Sequence, residues 1–266
     1  MPLLTEWSNL PKPIVGMLHL PPLPGSPGFG GSLDAVRDRM LRDADLLAGG
    51  GVHGLMIENF GDVPFFPGRV PAHTVAVMTA MAKDVRERFP EIPLGINVLR
   101  NDGQSALAVA LATGASFIRV NVLCGARLAD QGIIQGIAHE LLRDRAMLRA
   151  ERIKILADVN VKHSSPLAPI SIENEVEDTL HRGLADGLIV SGSGTGKPTD
   201  PGELERVKRA AGGTPVFIGS GSDERTIPML MAHADGFIIG SAFKREGRAS
   251  NPVDPERVGR IVGMVG

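Results

Sequence analysis

Five short apolar runs along the chain each end in ionisable or amide side chains. His19 follows Ile14 to Leu18, Glu58 and Asn59 close Leu55 to Glu58, and Asn97 lies near the end of Leu94 to Val98. Arg119 and Asn121 share one parity at the end of Phe117 to Asn121. Asp158 and Asn160 share another at the end of Ile155 to Val159, with Lys162 and His163 immediately after. Alternate strand residues point the same way, so each same-parity pair is expected on one face. Glu58 and Asp158 are the residue types for general acid or base work, His19 and His163 for carrying protons. Arg119, Asn97 and Asn121 are suited to orienting or polarising substrate oxygens. The competing structural reading is that Glu58, Arg119 and Asp158 form a buried ion-pair network, since charges are perturbed by structural pairing as well as by catalysis.

Three later runs end in glycine instead. Leu188 to Val190 leads into Ser191-Gly192-Ser193-Gly194-Thr195-Gly196-Lys197, Val216 to Gly219 continues as Ser220-Gly221-Ser222, and Phe237 to Ile239 leads into Gly240-Ser241-Ala242-Phe243-Lys244. Glycines let the backbone approach a ligand and present N–H groups to an anion. Ser191, Gly192, Thr195, Gly196, Gly219, Ser220, Gly221, Gly240 and Ser241, with Lys162, are therefore the expected phosphate or substrate contacts. The plainer alternative makes these residues ordinary turns, with Ser222 or Asp223 capping the next helix.

Other chemistries find less support. Lys197 is followed by Pro198, so the glycine-rich stretch lacks the spacing of a P-loop. No H-x-H, H-E-x-x-H or cysteine cluster occurs, and Glu58 with Asp158 are the residues that a Mg2+ site would use. No lysine lies in the sixth run, so a Schiff-base nucleophile would have to come from Lys162, Lys197 or Lys244, a minority reading. Cys124 has no marked basic partner in sequence and reads as an incidental thiol.

The elements that must position these groups follow from periodicity. Eight apolar, β-branched runs alternate with segments of helical spacing: Leu33 to Leu47, Thr74 to Arg88, Gln104 to Ala112, Gly136 to Ala150, Glu173 to Arg182, Glu203 to Ala210, Thr226 to His233 and Pro255 to Met264. Apolar strands separated by amphipathic helices imply a parallel sheet, because parallel neighbours need a long crossover. Eight units in one chain predict a single α/β domain, a closed (β/α)8 TIM barrel, with residues 1–12 as an N-terminal extension. The rival open, doubly wound sheet would open with G-x-G-x-x-G, whereas here the first strand runs into Met17-Leu18-His19-Leu20-Pro21-Pro22. In a barrel the polar residues and glycine turns all fall at the C-terminal, catalytic end. His53 and Lys154 fall at the opposite rim, where stability is the expected role.

Composition narrows the partners. The 266 residues are 43% hydrophobic and 22% charged, with a net charge of -2, so no electrostatic footprint for nucleic acid or an anionic membrane is present. No apolar stretch approaches the roughly 20 residues of a membrane span. One cysteine and an N-terminus without a signal-like run predict a cytoplasmic protein. Barrels of this kind are often homo-oligomers, but no residue marks an interface, and aromatics are few, with nine Phe, one Trp and no Tyr.

From about Pro13 to Val253 the chain resembles the BtpA family. The resemblance is carried by Gly16-Met17-Leu18-His19-Leu20, Glu58-Asn59-Phe60-Gly61-Asp62-Val63-Pro64-Phe65 and Asn97-Val98-Leu99-Arg100-Asn101-Asp102. Phe117 to Asn121, Asp158 to His163, Ser191 to Gly196, Gly219 to Gly221 and Ala234 to Ser241 continue it. The resemblance implies a barrel fold and, from the family name, a role in photosystem I biogenesis, while the family's sugar-metabolism branch resembles barrels that handle phosphorylated sugars. Two functions follow as expectations. One is an enzyme of isomerase, lyase or hydrolase type acting on a small phosphorylated metabolite, such as a sugar phosphate or nucleoside-derived phosphate; the other is a non-catalytic or regulatory factor of photosystem I biogenesis.

Overall fold

The computed structural model describes residues 2–192, 194 and 197–265. Thr195 and Gly196, expected at the anion site, lie outside the described residues. Eight parallel strands close a barrel: β1 (Ile14–His19), β2 (Gly54–Glu58), β3 (Leu94–Asn97), β4 (Phe117–Val120), β7 (Lys154–Val159), β9 (Gly187–Val190), β10 (Val216–Ile218) and β11 (Gly236–Ile239), with β11 pairing back onto β1. The expected (β/α)8 barrel is the observed one. Three further strands, β5 (Ala126–Ala129), β6 (Gly132–Gln135) and β8 (Ser164–Pro166), form a small antiparallel sheet above the ends of β4 and β7.

The period of two along the strands sorts residues into an outer and an inner layer. Outward residues such as Leu18, Leu55, Ile57, Ile96, Ile118 and Ile155 pack under the helices in the main core. Val15, Met17, Met56, Phe117, Leu156, Ile189, Phe217 and Ile238 form a separate interior cluster. Gly95 is part of this packing, because a Cβ there would lie 2.3 Å from the Phe117 ring. The N-terminal segment completes the bottom: Trp7 is 2% exposed and meets the Phe117 and Phe217 rings at 5.7 and 5.8 Å. Its Nε1 donates to the His53 carbonyl, and His53 Nδ1 accepts from the Ile14 amide. At this rim Lys154 pairs with Asp186.

The helices α1 (Leu33–Gly49), α2 (Ala72–Arg88), α3 (Gly103–Thr113), α4 (Ala138–Met147), α5 (Ile172–Glu177), α6 (Pro201–Ala211), α7 (Ile227–Leu230) and α8 (Pro255–Val265) cover the barrel. Side chains fix several starts by accepting otherwise unpaired N-terminal amides: Ser32 for α1, Asp102 for α3, Ser171 for α5 and Asp200, followed by Pro201, for α6. Three helices are shorter than the sequence pattern predicts. Gly136 lies against the backbone of Leu123 and Cys124 and bonds the Gly125 carbonyl, so it ends the hairpin and α4 begins at Ala138. After α5 the chain widens into a π turn over Asp178–Arg182. Asp223 accepts from the Arg225 and Thr226 amides, while Thr226 Oγ1 accepts from the Asp223 amide, leaving α7 a single turn.

Candidate active site

The site is built one interior position beyond the hydrophobic cluster. Continuing two residues along each strand, Met17 gives His19, Met56 gives Glu58, Gly95 gives Asn97, Phe117 gives Arg119, Leu156 gives Asp158 and Ile189 gives Ser191. On the last two strands the same position is Gly219 and Gly240. The glycines make room for their neighbours. A Cβ on Gly219 would lie 3.0 Å from Arg119 Nη2, and one on Gly240 would lie 2.7 Å from His19 Cε1.

The polar groups of this layer divide into two sets. Asn97 Nδ2 donates to Glu58 Oε2 at 2.6 Å, and His19 Nε2 stands 3.7 Å from Glu58 Oε1. His19 stacks on Phe60, with centroids 4.5 Å apart. Burial, and then the cations of Lys244 and Lys162, drive the imidazole pKa down to about 3, so His19 is neutral and does not form a charged pair with Glu58. In the second set Arg119 donates from Nε and Nη2 to the two oxygens of Asp158, at 2.8 and 2.7 Å. Asn121 Nδ2 and Ser191 Oγ add contacts to the same carboxylate at 2.9 and 3.4 Å. Burial opposes the Arg119 charge, but Asp158 outweighs it and raises the guanidinium pKa.

Two adjoining cavities open above these residues. The larger, about 370 Å³, is bounded by Glu58, Phe60, Arg100, Arg119, Asn121 and Lys162, with Asp130, Gln131 and His163 at its edge. The smaller, about 30 Å³, shares Glu58, Phe60, Arg119 and Lys162 and extends between His19, Gly219 to Ser222 and Gly240 to Ala242. Here the Ser222 hydroxyl is buried without a hydrogen-bond partner, and the amides of Ser220, Gly221 and Ser222 find no acceptor among the described residues. Asn121 Oδ1 is likewise buried and unpartnered beside the larger cavity. A ligand hydroxyl or amine would satisfy Asn121, and an anion would satisfy the amides and the serine.

Cations and carboxylates share the larger cavity, Arg100, Arg119 and Lys162 with Glu58 and Asp130. Asp158 neutralises Arg119, but Arg100 and Lys162 line the larger cavity and form no ion pair among the described residues. Arg100 is 5% exposed and donates from Nη2 to the Lys162 carbonyl at 2.7 Å. Burial, followed by the positive charge of Arg119, lowers the Lys162 pKa to about 8 despite Glu58 and Asp158. His163, at φ 58, is only partly covered, and that partial desolvation, then Lys162 and Arg100, lowers its pKa.

Of the residues expected from sequence, Glu58, Arg119, Asn121, Lys162 and His163 line the larger cavity. His19, Gly219, Ser220, Gly221, Gly240 and Ser241 line the smaller. Asn97, Asp158, Ser191 and Gly192 stand behind them. Gly192 donates its amide to Ser220 Oγ, and its own Cβ position is filled by the Lys197 and Pro198 carbonyls. Asn160 departs from its expected direction: at φ 48 it leaves the strand path and engages Arg127 and Glu203 outside the barrel. Lys244 is also elsewhere, buried with its ammonium on Asp43 Oδ2 at 2.6 Å. Asp223, not Ser222, supplies the cap of the following turn. Cys124 is half-buried, and burial, then Asp178, raises its thiol pKa. Among the described residues no group of three or more His, Cys, Asp or Glu side chains could hold a metal ion, and both Asp158 oxygens already serve Arg119.

Sequence reasoning passed over Arg100, Phe60, Phe65 and Ser222. Arg100 and Phe60 sit just past the ends of β3 and β2, the same place that marked the other candidates, and Ser222 belongs to the glycine-serine turn already singled out. Asp130 and Gln131 reach the cavity only because β5 and β6 turn back over it. Among the described residues no helix is long and apolar enough to cross a membrane.

Residues 10–266 match the BtpA family. A Synechocystis protein named photosystem I biogenesis protein BtpA is 49% identical over 251 residues, covering 94% of this chain and 87% of the relative. An uncharacterized protein of Thermococcus kodakarensis is 47% identical, covering 94% of each chain, and an uncharacterized mitochondrial protein of Caenorhabditis elegans is 36% identical, covering 97% and 95%. Among solved structures, phosphoribosyl anthranilate isomerase from Thermus thermophilus superposes with a TM-score of 0.55 at 10% identity, covering 94% of this chain and 96% of that one. KGPDC from Streptococcus mutans gives 0.56 at 12%, covering 96% and 98%. At such identities the likeness is one of fold.

Proposed function

The chain belongs to the BtpA family, and from that premise we propose that it is a cytoplasmic enzyme acting on a small phosphorylated metabolite by acid-base chemistry of the isomerase, lyase or hydrolase type. The observation that carries this reading is the pairing of two cations without carboxylate partners, Arg100 and Lys162, with an adjoining recess of unpaired amides and the unpartnered Ser222 hydroxyl. The phosphoryl group would sit against Gly219 to Ser222 and Gly240 to Ser241, and the rest of the substrate in the 370 Å³ cavity. Backbone amides suit an anion because they are fixed donors that need no reorganisation.

Glu58 faces both cavities and is the general acid or base, with Asn97 holding one of its oxygens. The neutral His19 beside it can donate a hydrogen bond to the substrate or accept one from it, but a pKa of about 3 makes it a weak base near neutral pH. Arg119, locked by Asp158, presents a fixed positive edge to substrate oxygens, and Asn121 Oδ1 accepts from a substrate hydroxyl. Asp158 thus works through Arg119 rather than on the substrate. The phosphoribosyl compound in the isomerase's name agrees with a phosphorylated substrate on this fold.

The name of the Synechocystis relative favours a second reading, a regulatory factor in photosystem I biogenesis that uses the same cavity to sense a metabolite. The nematode relative spans the whole barrel in an organism without that complex, which weighs against a role confined to it.

Thermal stabilisation against sugar phosphates, nucleotides and inorganic phosphate, with and without magnesium, tests the site. A ligand at 100 times its Kd should stabilise the protein by about 2.7 kcal/mol. Ser241→Asp, which places a carboxylate in the recess, should abolish the shift. No shift across the panel would reject the anion site and favour a non-catalytic factor that binds a protein partner rather than a metabolite.

A further inference from the structure

We propose that Lys162 is a nucleophilic amine that forms a Schiff base with an aldehyde or ketone carbonyl of the phosphorylated substrate. The inference rests on reading the recess as the phosphate site, and it narrows the substrate class to phosphorylated carbonyl compounds.

The chain has seven lysines. Five have their ammonium groups engaged: Lys12 on the Ala234 carbonyl, Lys83 on Glu87, Lys154 on Asp186, Lys208 on Asp235 and Lys244 on Asp43. Lys197 is exposed on the loop after β9. Lys162 alone is partly buried, lines both cavities and has no ion pair or side-chain hydrogen bond among the described residues. Its backbone is held from below by Arg100, whose guanidinium bonds the Lys162 carbonyl. The position is therefore fixed while the amine is left uncommitted, at the junction between the anion recess and the larger cavity.

The surroundings favour the reactive form. Arg119 and Arg100 oppose the ammonium charge, Glu58 and Asp158 support it, and burial tips the balance toward a pKa of about 8. Well below pH 8 a lysine with that pKa has a neutral fraction about 250-fold greater than one near 10.4. A desolvated lysine near other cations is a recognised route to an amine nucleophile. In the step itself the Nζ lone pair forms the C–N bond while the carbonyl π pair moves to oxygen. The oxygen then leaves as water with two of the protons of the original ammonium, and the third remains on the iminium nitrogen. Charge and atoms balance without another reactant, and Glu58, facing the same cavities, is placed to relay the protons.

The test uses pyridoxal 5′-phosphate, a phosphorylated aldehyde, followed by borohydride reduction and peptide mapping of the full-length protein. Label is expected on Lys162 at least tenfold above any other lysine, rising with a midpoint near pH 8 and suppressed by inorganic phosphate. Pyridoxal, which lacks the phosphate, should label it much less. Lys162→Arg keeps the charge and should lose the label. Label spread over Lys83, Lys154 and Lys197 with Lys162 spared would overturn the proposal, and a surviving phosphate shift would show that the anion site stands without it. Equal labelling of Lys162 by both aldehydes, with no effect of phosphate, would support the amine and reject the phosphate reading.

Discussion

Arg119 on β4 and Asp158 on β7 are joined by two parallel hydrogen bonds of 2.8 and 2.7 Å, with their side chains 3% and 0% exposed. Removing one member of a buried pair leaves the other charge uncompensated, which costs about 3 to 5 kcal/mol, whereas replacing both with apolar residues is often neutral. Asp158→Asn should therefore lower the unfolding free energy by that amount in urea titrations. The double replacement of Arg119→Met with Asp158→Leu should recover most of it. A double variant as unstable as the single one would show that Asp158 acts through Asn121 and Ser191 instead.

The pair also shows what could be read from sequence. Arg119 and Asp158 are legible because they fall at the ends of apolar, β-branched runs where strand parity turns them inward, and the same runs place all eight barrel strands. Parity failed at Asn160, where a left-handed φ ends the extended path. The small strands β5, β6 and β8 were not legible, because segments such as Ala126–Ala129 are short, and their hydrogen bonds rather than a buried apolar face define them. Arg100 lies just past β3, where strand-end position could mark it, but its bond to the Lys162 carbonyl depends on how two loops meet, which no periodicity encodes.

Glu58→Gln retains an oxygen that can accept from Asn97 Nδ2 but cannot exchange a proton at neutral pH. Once a substrate is identified, kcat should fall by about 10² to 10⁴, the range typical of general acid-base groups, with little change in the thermal midpoint. Unchanged turnover would remove Glu58 from the chemistry.

Trp7 lies in a segment that sequence reading treats as a mere extension, yet it closes the barrel between Phe117 and Phe217. Truncating a fully buried tryptophan leaves a large cavity, so Trp7→Ala should cost about 3 to 5 kcal/mol. Because it sits at the end opposite the recess, any phosphate-induced thermal shift should persist. Loss of that shift in the folded variant would contradict this separation of the two ends.

His19 gives the protein an acid-sensitive component. Its folded pKa of about 3 is below the unfolded value near 6.5, so between these pH values the unfolded chain binds more protons and stability declines as pH falls. At about 1.4 kcal/mol per pKa unit the loss amounts to a few kcal/mol. Unfolding free energies of the wild type should drop more steeply between pH 6.5 and 4 than those of His19→Asn. Parallel curves would mean that His19 is not held neutral by its surroundings.

Lys162 should show the complementary cost of keeping a reactive group uncommitted. Its folded pKa of about 8 is below the ordinary lysine value near 10.5, so the unfolded chain holds more protons between those values and stability from this residue rises with pH across that window. At pH 7 the partly buried ammonium is charged and unpaired, which opposes folding. Lys162→Met, of similar length and without charge, should therefore raise the thermal midpoint at pH 7, and the gain should shrink as pH approaches 10. Such a trade of stability for function is expected at a site kept for chemistry. A variant less stable than the wild type at pH 7, with no change in the pH dependence, would instead make Lys162 a structural residue.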